Sequence, residues 1–390
     1  MNTIEDLATI DLASLVNGHY LDAEQNAETD GKDPFCDQWE IFGLADAYAE
    51  REPWRYLVDG LLPYPSLNAC YGGPGSLKSM LLADLAACVA GGQPWLQSID
   101  GPGQTAGVSF RVEHSPVLWI DFDNGVRRTH ERIESVARCR GLPADAPLHY
   151  VSMPRPWLDI GKMGMVESLA RKIKALGAKM IVIDNLGLIT GDTEENSAGM
   201  AQVMGNLRWL CQESESCVIV VHHQRKSSGI AGGAIRKGET LRGHSSIEAA
   251  LDTALLVERT PGEDKVAVLL TKVRGYVEHQ LFGAMFTYQH REGTHDLESA
   301  RFFSQAVDSA AVLENMYTET IIMRVLGEYD ELNQTQLVTK VRDTIAAATP
   351  RRKVPGANTV RGLIDQLAKD GDIAVRVGDK NAKYYAAAGA

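Results

Sequence analysis

The stretch Tyr71-Gly72-Gly73-Pro74-Gly75-Ser76-Leu77-Lys78-Ser79 constrains this chain more than any other. It follows an apolar run at 67–71 and opens a helix-like segment at 80–90, so it lies where a strand turns into a helix. Backbone N–H groups of a glycine-rich turn and the positive end of a helix dipole converge at such a place, which suits an anion. In the phosphate-loop pattern G-x-x-x-x-G-K-[ST], Gly72, Gly73, Pro74, Gly75, Ser76 and Leu77 form the cradle. Lys78 then reaches the β- and γ-phosphates of ATP, and the Ser79 hydroxyl ligates Mg²⁺. Leu77 stands where the second fixed glycine belongs. If the loop needs φ > 0 there, leucine carries strain of order 1 kcal/mol or more. The plain alternative is a connecting loop that happens to hold a Lys-Ser pair.

Two apolar runs downstream close on acids: residues 116–125, ending Asp121-Phe122-Asp123-Asn124-Gly125, and residues 179–186, which contain Ile183-Asp184-Asn185. Continuous apolar runs of this length are strands buried on both faces of a parallel sheet. Asp184 is placed to reach the Mg²⁺ water shell beside Ser79. Asp123 is the candidate base for orienting a water, and Asp121, two residues earlier, shares its face, so the two could exchange roles. His223 follows a further buried strand at 217–221 and is a candidate sensor of the γ-phosphate, with a purely structural histidine as the alternative. Lys272 and Arg274 end a later strand on one face, and two such cations suit a phosphate on a neighbouring subunit. Strands and helices alternate with no longer repeat, which predicts an open α/β sheet with a mostly parallel centre and antiparallel later strands.

The net charge of −12 is unevenly placed. Residues 1–60 hold 14 acidic against 3 basic side chains, whereas the chain from Arg351 onward holds 8 basic against 4 acidic. The acidity is thus an N-terminal property and is weak evidence against a polyanion partner elsewhere. No apolar run is long enough to span a bilayer, and residues 1–30 lack a basic start with an apolar core, so a soluble, cytoplasmic protein without a membrane partner is expected. Six scattered cysteines with no C-x-x-C pair argue against zinc and disulfide frameworks.

Residues 1–52 read as an acidic arm with a docking helix, including a helix over 41–51. Residues 54–64 read as an extended lead into the first core strand. Residues 53–300 are the expected ATPase domain and 301–317 a linker. Beyond it, three helices and a terminal hairpin around Gly378-Asp379 follow the order of a winged helix-turn-helix over 318–390, with Arg361 on the third helix and Arg376, Lys380 and Lys383 on the wing. A partner-docking domain on the same scaffold is the alternative.

The set as a whole resembles the RecA-like P-loop ATPases of the RepA-type hexameric helicase group, over about residues 54–289. The resemblance rests on the phosphate loop, Asp-Phe-Asp-Asn-Gly, Ile-Asp-Asn-Leu, Glu-Asn-Ser, Val-His-His, Arg-Gly-His-Ser-Ser and Lys-x-Arg. It implies a ring, expected to be a hexamer, with ATP between subunits and single-stranded DNA in the channel. On it, His223 matches the γ-phosphate sensor, and Lys272 with Arg274 matches a finger pair acting in trans. Residues 187–199 and 227–242 match two channel loops, where Arg225, Lys226, Arg236, Lys237 and Arg242 meet phosphates. Asp123 replaces the usual glutamate, and Leu77 replaces glycine. The expected function is an Mg²⁺-ATP-driven replicative helicase of a mobile element. The rivals are a DNA-bound ATP switch with duplex DNA at the winged helix, and an ATP-dependent enzyme or kinase on a small substrate.

Overall fold

The computed structural model describes residues 39–98, 107–194, 198–223, 245–259, 262–275, 281–307, 309–348, 354–370, 372–378 and 382–387. The chain divides into a first unit, residues 1–53, and a second, residues 54–390.

In the first unit, α1 spans Leu44–Tyr48, shorter than the helix expected over 41–51. Gly43 donates its N–H to Asp46 Oδ2 at 2.7 Å, which fixes the start, and Ala49 turns extended (φ −59°, ψ 148°), which ends it. Trp39, Ile41, Phe42, Leu44 and Tyr48 are all exposed.

The second unit opens with β1 (Arg55–Val58) and β2 (Leu62–Tyr64), an antiparallel hairpin where the sequence suggested an extended lead. Then follow β3 (Ser66–Gly72), α2 (Lys78–Gly91), β4 (Val117–Asp121), α3 (Val126–Cys139), β5 (Leu148–Ser152), α4 (Met163–Leu176), β6 (Met180–Asp184), α5 (Met200–Ser214), β7 (Cys217–His223) and α6 (Ser245–Ala250). Strands β8 (Thr253–Arg259), β9 (Lys265–Val273), β10 (Leu281–His290) and β11 (Leu297–Gln305) complete one nine-stranded sheet. Its order is β11-β10-β9-β8-β3-β7-β6-β4-β5; β8 through β5 are parallel, and β9 to β11 are antiparallel. One strand, β7, separates the strand leading into the glycine-rich loop from Asp184-tipped β6, a RecA-like arrangement.

The period of two along each central strand divides the core. Cys70, Trp119, Val182 and Ile219 face α2 and α3, whereas Ala69, Ile120, Ile183 and Val220 join the layer that includes α4, α5 and α6 residues. The antiparallel strands curl over the first layer. Arg127 of α3 pairs with Asp296 at 3.2 Å, and Phe282 and Phe302 bury in the α2 core. This enclosure explains why α2 is buried on every side over residues 81–90, with Asp84 the one charge among them, instead of presenting one apolar stripe.

Residues 301–305 lie in β11, and α7 begins at 309 (Ser309–Glu328), so regular structure occupies most of the segment expected as a linker. After α7 come β12 (Leu332–Asn333), α8 (Gln334–Ala348), α9 (Ala357–Asp370), β13 (Ile373–Val377) and β14 (Lys383–Ala387). The strands form an antiparallel sheet in the order β12-β14-β13 over a separate core of Ile322, Leu337, Val341, Val360, Ile364 and Tyr385. No described helix is long and apolar enough to cross a membrane.

Candidate active site

The loop after β3 is shaped by what surrounds it. A Cβ on Gly72 would stand 2.3 Å from the Val257 carbonyl oxygen and 3.0 Å from Ser76 Oγ, so only glycine fits between β3 and β8. Leu77 is left-handed (φ 68°, ψ 17°) and caps α2, which is the conformation that disfavours leucine. Its side chain packs against the α2 core, which offsets part of that strain. Arg259 at the end of β8 reaches the Gly75 carbonyl oxygen at 3.4 Å from the outer side.

Lys78 is buried at the first position of α2. Its amine donates to the carbonyl oxygens of Gly72 (3.0 Å) and Gly73 (2.8 Å) and to Ser76 Oγ (3.3 Å). Burial lowers its pKa, opposed by the nearby Cys70, Asp184 and Asp123. The loop's own oxygens thus occupy the amine where phosphate oxygens would, which is the fit expected of a triphosphate cradle.

Asp184 ends β6 almost fully buried and hydrogen-bonded to Ser79. Burial pushes its carboxyl up to about 6, opposed by the Ser79 hydrogen bond and the Arg132 charge. A hydroxyl and a carboxylate facing each other at a helix N-terminus fit Mg²⁺, which is held through few protein ligands and substrate phosphates.

Asp121 and Asp123 differ in their surroundings. Asp121 is fully buried; its Oδ1 accepts the N–H groups of Asp123 (3.0 Å) and Asn124 (2.8 Å), and its Oδ2 accepts from Thr129 Oγ1 (3.0 Å). These bonds shape the turn from β4 into α3. Asp123 is exposed on that turn, within electrostatic range of both Lys78 and Asp184. His223 ends β7 directly opposite Gly72 in the parallel register.

Arg132 is a central residue that motif reading passed over. From α3 its guanidinium lies 3.4 Å from Asp184 and 3.6 Å from Asp121. Its signal was helical spacing alone: Thr129, Ile133 and Val136 form the buried side of α3, and Arg132 falls beside them.

Lys272 and Arg274 stand apart from this group. Lys272 donates to the Glu248 and Ala249 carbonyl oxygens, and Arg274 to Ala249 at 2.8 Å, so both meet the carbonyl end of α6. Asp252 lies 3.6 Å from Arg274 and 2.9 Å from Arg208, a second cation that the motifs did not reveal. The backbone N–H of Asp252 donates to Leu67 O, and its Oδ2 accepts from Leu67 N. Leu67 lies near the start of the strand that Gly72 ends, about 16 Å away at ~3.3 Å per residue. The pair therefore sits at the end of the strands opposite its own glycine-rich loop.

In the C-terminal part, Arg361 is exposed on α9 and donates to Asn358. Arg376 is engaged within the chain: it forms a two-pronged pair with Glu331 (2.8 and 2.6 Å) and stacks on Tyr384. Lys383 is exposed on β14. Arg225, Lys226, Arg236, Lys237, Arg242 and Lys380 lie outside the described residues.

Residues 39–229 match the protein family described as AAA domain. Among solved structures, the crystal structure of the RadB recombinase aligns at 13% identity with a TM-score of 0.41, covering 58% of this chain and 89% of that chain.

Proposed function

Residues 39–229 belong to the AAA-domain family and form part of a RecA-like P-loop ATPase fold, and from that premise we propose a ring-forming, DNA-dependent motor driven by Mg²⁺-ATP. The reading extends to a hexameric replicative helicase of a phage, plasmid or other mobile element, with single-stranded DNA in its channel. The observation that carries it is the separation of Lys272 and Arg274 from their own Lys78. A finger pair at the far ends of the strands meets a phosphate only where a second copy presents one.

In this mechanism the Lys78 amine leaves the Gly72 and Gly73 carbonyls for the β- and γ-phosphate oxygens, while the N–H groups of the loop hold the rest of the chain of phosphates. Ser79 and Asp184 would hold Mg²⁺, which would supply charge neutralisation to the phosphates. Asp123 accepts a hydrogen bond from the attacking water and aligns it with the bond to be broken. His223, beside Gly72, contacts the γ-phosphate and senses its departure. Lys272 and Arg274 stabilise the charge that develops on the neighbour's phosphates.

Mixing inactive Lys78→Ala and Arg274→Ala chains tests the shared site. Partial recovery of ATP hydrolysis at intermediate ratios is expected; none at any ratio overturns it. Particle size measured with and without ATP and single-stranded DNA tests the ring. The second reading, a DNA-bound switch, draws support from the short carboxylate of Asp123 and the left-handed Leu77, both suited to slow turnover. Duplex binding through Arg361, Arg376 and Lys383 without stimulation by single strands would favour it.

A further inference from the structure

Trp157 is 41% exposed, yet its ring is held on two sides. The indole Nε1 donates to the Leu188 carbonyl oxygen at 2.6 Å, and the ring meets Phe122 edge to face with centroids 5.1 Å apart. Phe122 lies between Asp121 and Asp123, and Leu188 closes the 3-10 turn (Leu186–Leu188) that follows Asp184. One aromatic ring therefore touches the ends of both acid-tipped strands.

The surroundings limit what this ring can be for. Its only polar hydrogen is already bonded, so what it offers to solvent is π surface. The segment carrying it is Met153-Pro154-Arg155-Pro156-Trp157, in which two prolines remove backbone freedom and Arg155 is exposed. Residues 186–194 are fastened alongside: Ile160 N–H donates to Ile189 O at 2.9 Å, and Asn206 Nδ2 donates to Ile160 O at 2.7 Å. A fixed π surface with a guanidinium two residues away suits an unpaired base and its adjoining phosphate. Bases within a duplex are already stacked and present no such face.

We infer that Trp157 stacks a base of single-stranded DNA, with Arg155 near the adjoining phosphate. The inference rests on the single-strand reading above and deepens it, because the stacked base would press on the same ring that touches Phe122 and Leu188. Strand occupancy is thereby communicated to the turn bearing Asp123 and to the segment following Asp184.

The test is fluorescence anisotropy of labelled oligo-dT with the full chain, at fixed salt and with a non-hydrolysable ATP analogue. Trp157→Ala is expected to weaken binding about tenfold and Trp157→Phe by less than about threefold, as for loss and retention of a stacked base. A fluorescent ADP analogue should bind both variants as it binds the parent. Equal oligo-dT affinity of Trp157→Ala and parent overturns this inference alone. So does a change in particle size of Trp157→Ala without DNA, which would mark the ring as a contact between copies. A parent chain that fails to bind oligo-dT overturns the single-strand reading as well.

Discussion

The Arg132 guanidinium sits 3.4 Å from the Asp184 carboxylate, a cation set against an acid that burial pushes up to about 6 from an ordinary 3.8. Between about pH 4 and pH 6 the folded chain holds a proton at Asp184 that the unfolded chain has released. Asp184 therefore makes the nucleotide-free fold less stable as pH rises through that window and adds no slope above it. Chemical denaturation across pH 4–7 should show this as a difference between the parent and Asp184→Asn. Arg132→Gln removes a lowering charge and should carry the window to higher pH. Identical pH profiles of parent and Asp184→Asn would contradict the assignment.

Leu77 supports an inversion of the usual ranking of glycine and alanine. In a helix interior alanine is the more stable by about 1 kcal/mol. At φ 68° the order should reverse, with Leu77→Gly more stable than Leu77→Ala by about 1 kcal/mol. Both lose the packing of leucine, so their difference isolates the backbone. Urea midpoints of the two variants decide it.

Asp84 of α2 and Arg140 at the end of α3 form a fully buried two-pronged pair at 2.9 and 2.8 Å. Burial raises the Asp84 pKa, and the Arg140 charge opposes it. Removing one partner strands a buried charge, so Asp84→Leu or Arg140→Leu should each cost about 3–5 kcal/mol. The double variant should recover much of that loss. Additive losses in denaturant unfolding would show that packing, not charge, dominates the site.

Glu331 engages the Arg376 guanidinium within the chain at 2.6 Å. If the C-terminal three-helix part meets duplex DNA, Glu331→Gln removes the opposing carboxylate from the guanidinium and should raise duplex affinity severalfold. Stability should change little, because the pair is solvent-accessible and screened. Electrophoretic shift with a labelled duplex, alongside thermal unfolding, separates the two effects.

Much of the sheet was legible because buried parallel strands write themselves as apolar runs. Residues 117–121, 180–184 and 217–221 could hardly be anything else, and the acids at the tips of the first two located the candidate site. Strand β11 escaped notice because only Ala300, Phe302 and Ser304 face inward, leaving a mixed sequence that resembles a linker. Hairpin β1–β2 was obscured by its prolines. Arg132 and Arg208 have no local signature, since an arginine on an amphipathic helix looks alike whether it meets water or a carboxylate from another strand. The different surroundings of Asp121 and Asp123 have no signature in the sequence either, because period two puts both on one face and burial and hydrogen bonding distinguish them.

Helix α2 is walled in by the central strands, α3 and the curled β9–β11 flap, so the grip on phosphate is mounted on an anvil with no room to recoil. Under the proposed motor reading, a stroke triggered by hydrolysis would be delivered from the opposite flank, where α5 and α6 lie. On that reading, the enclosed side of the sheet would set the direction of the movement.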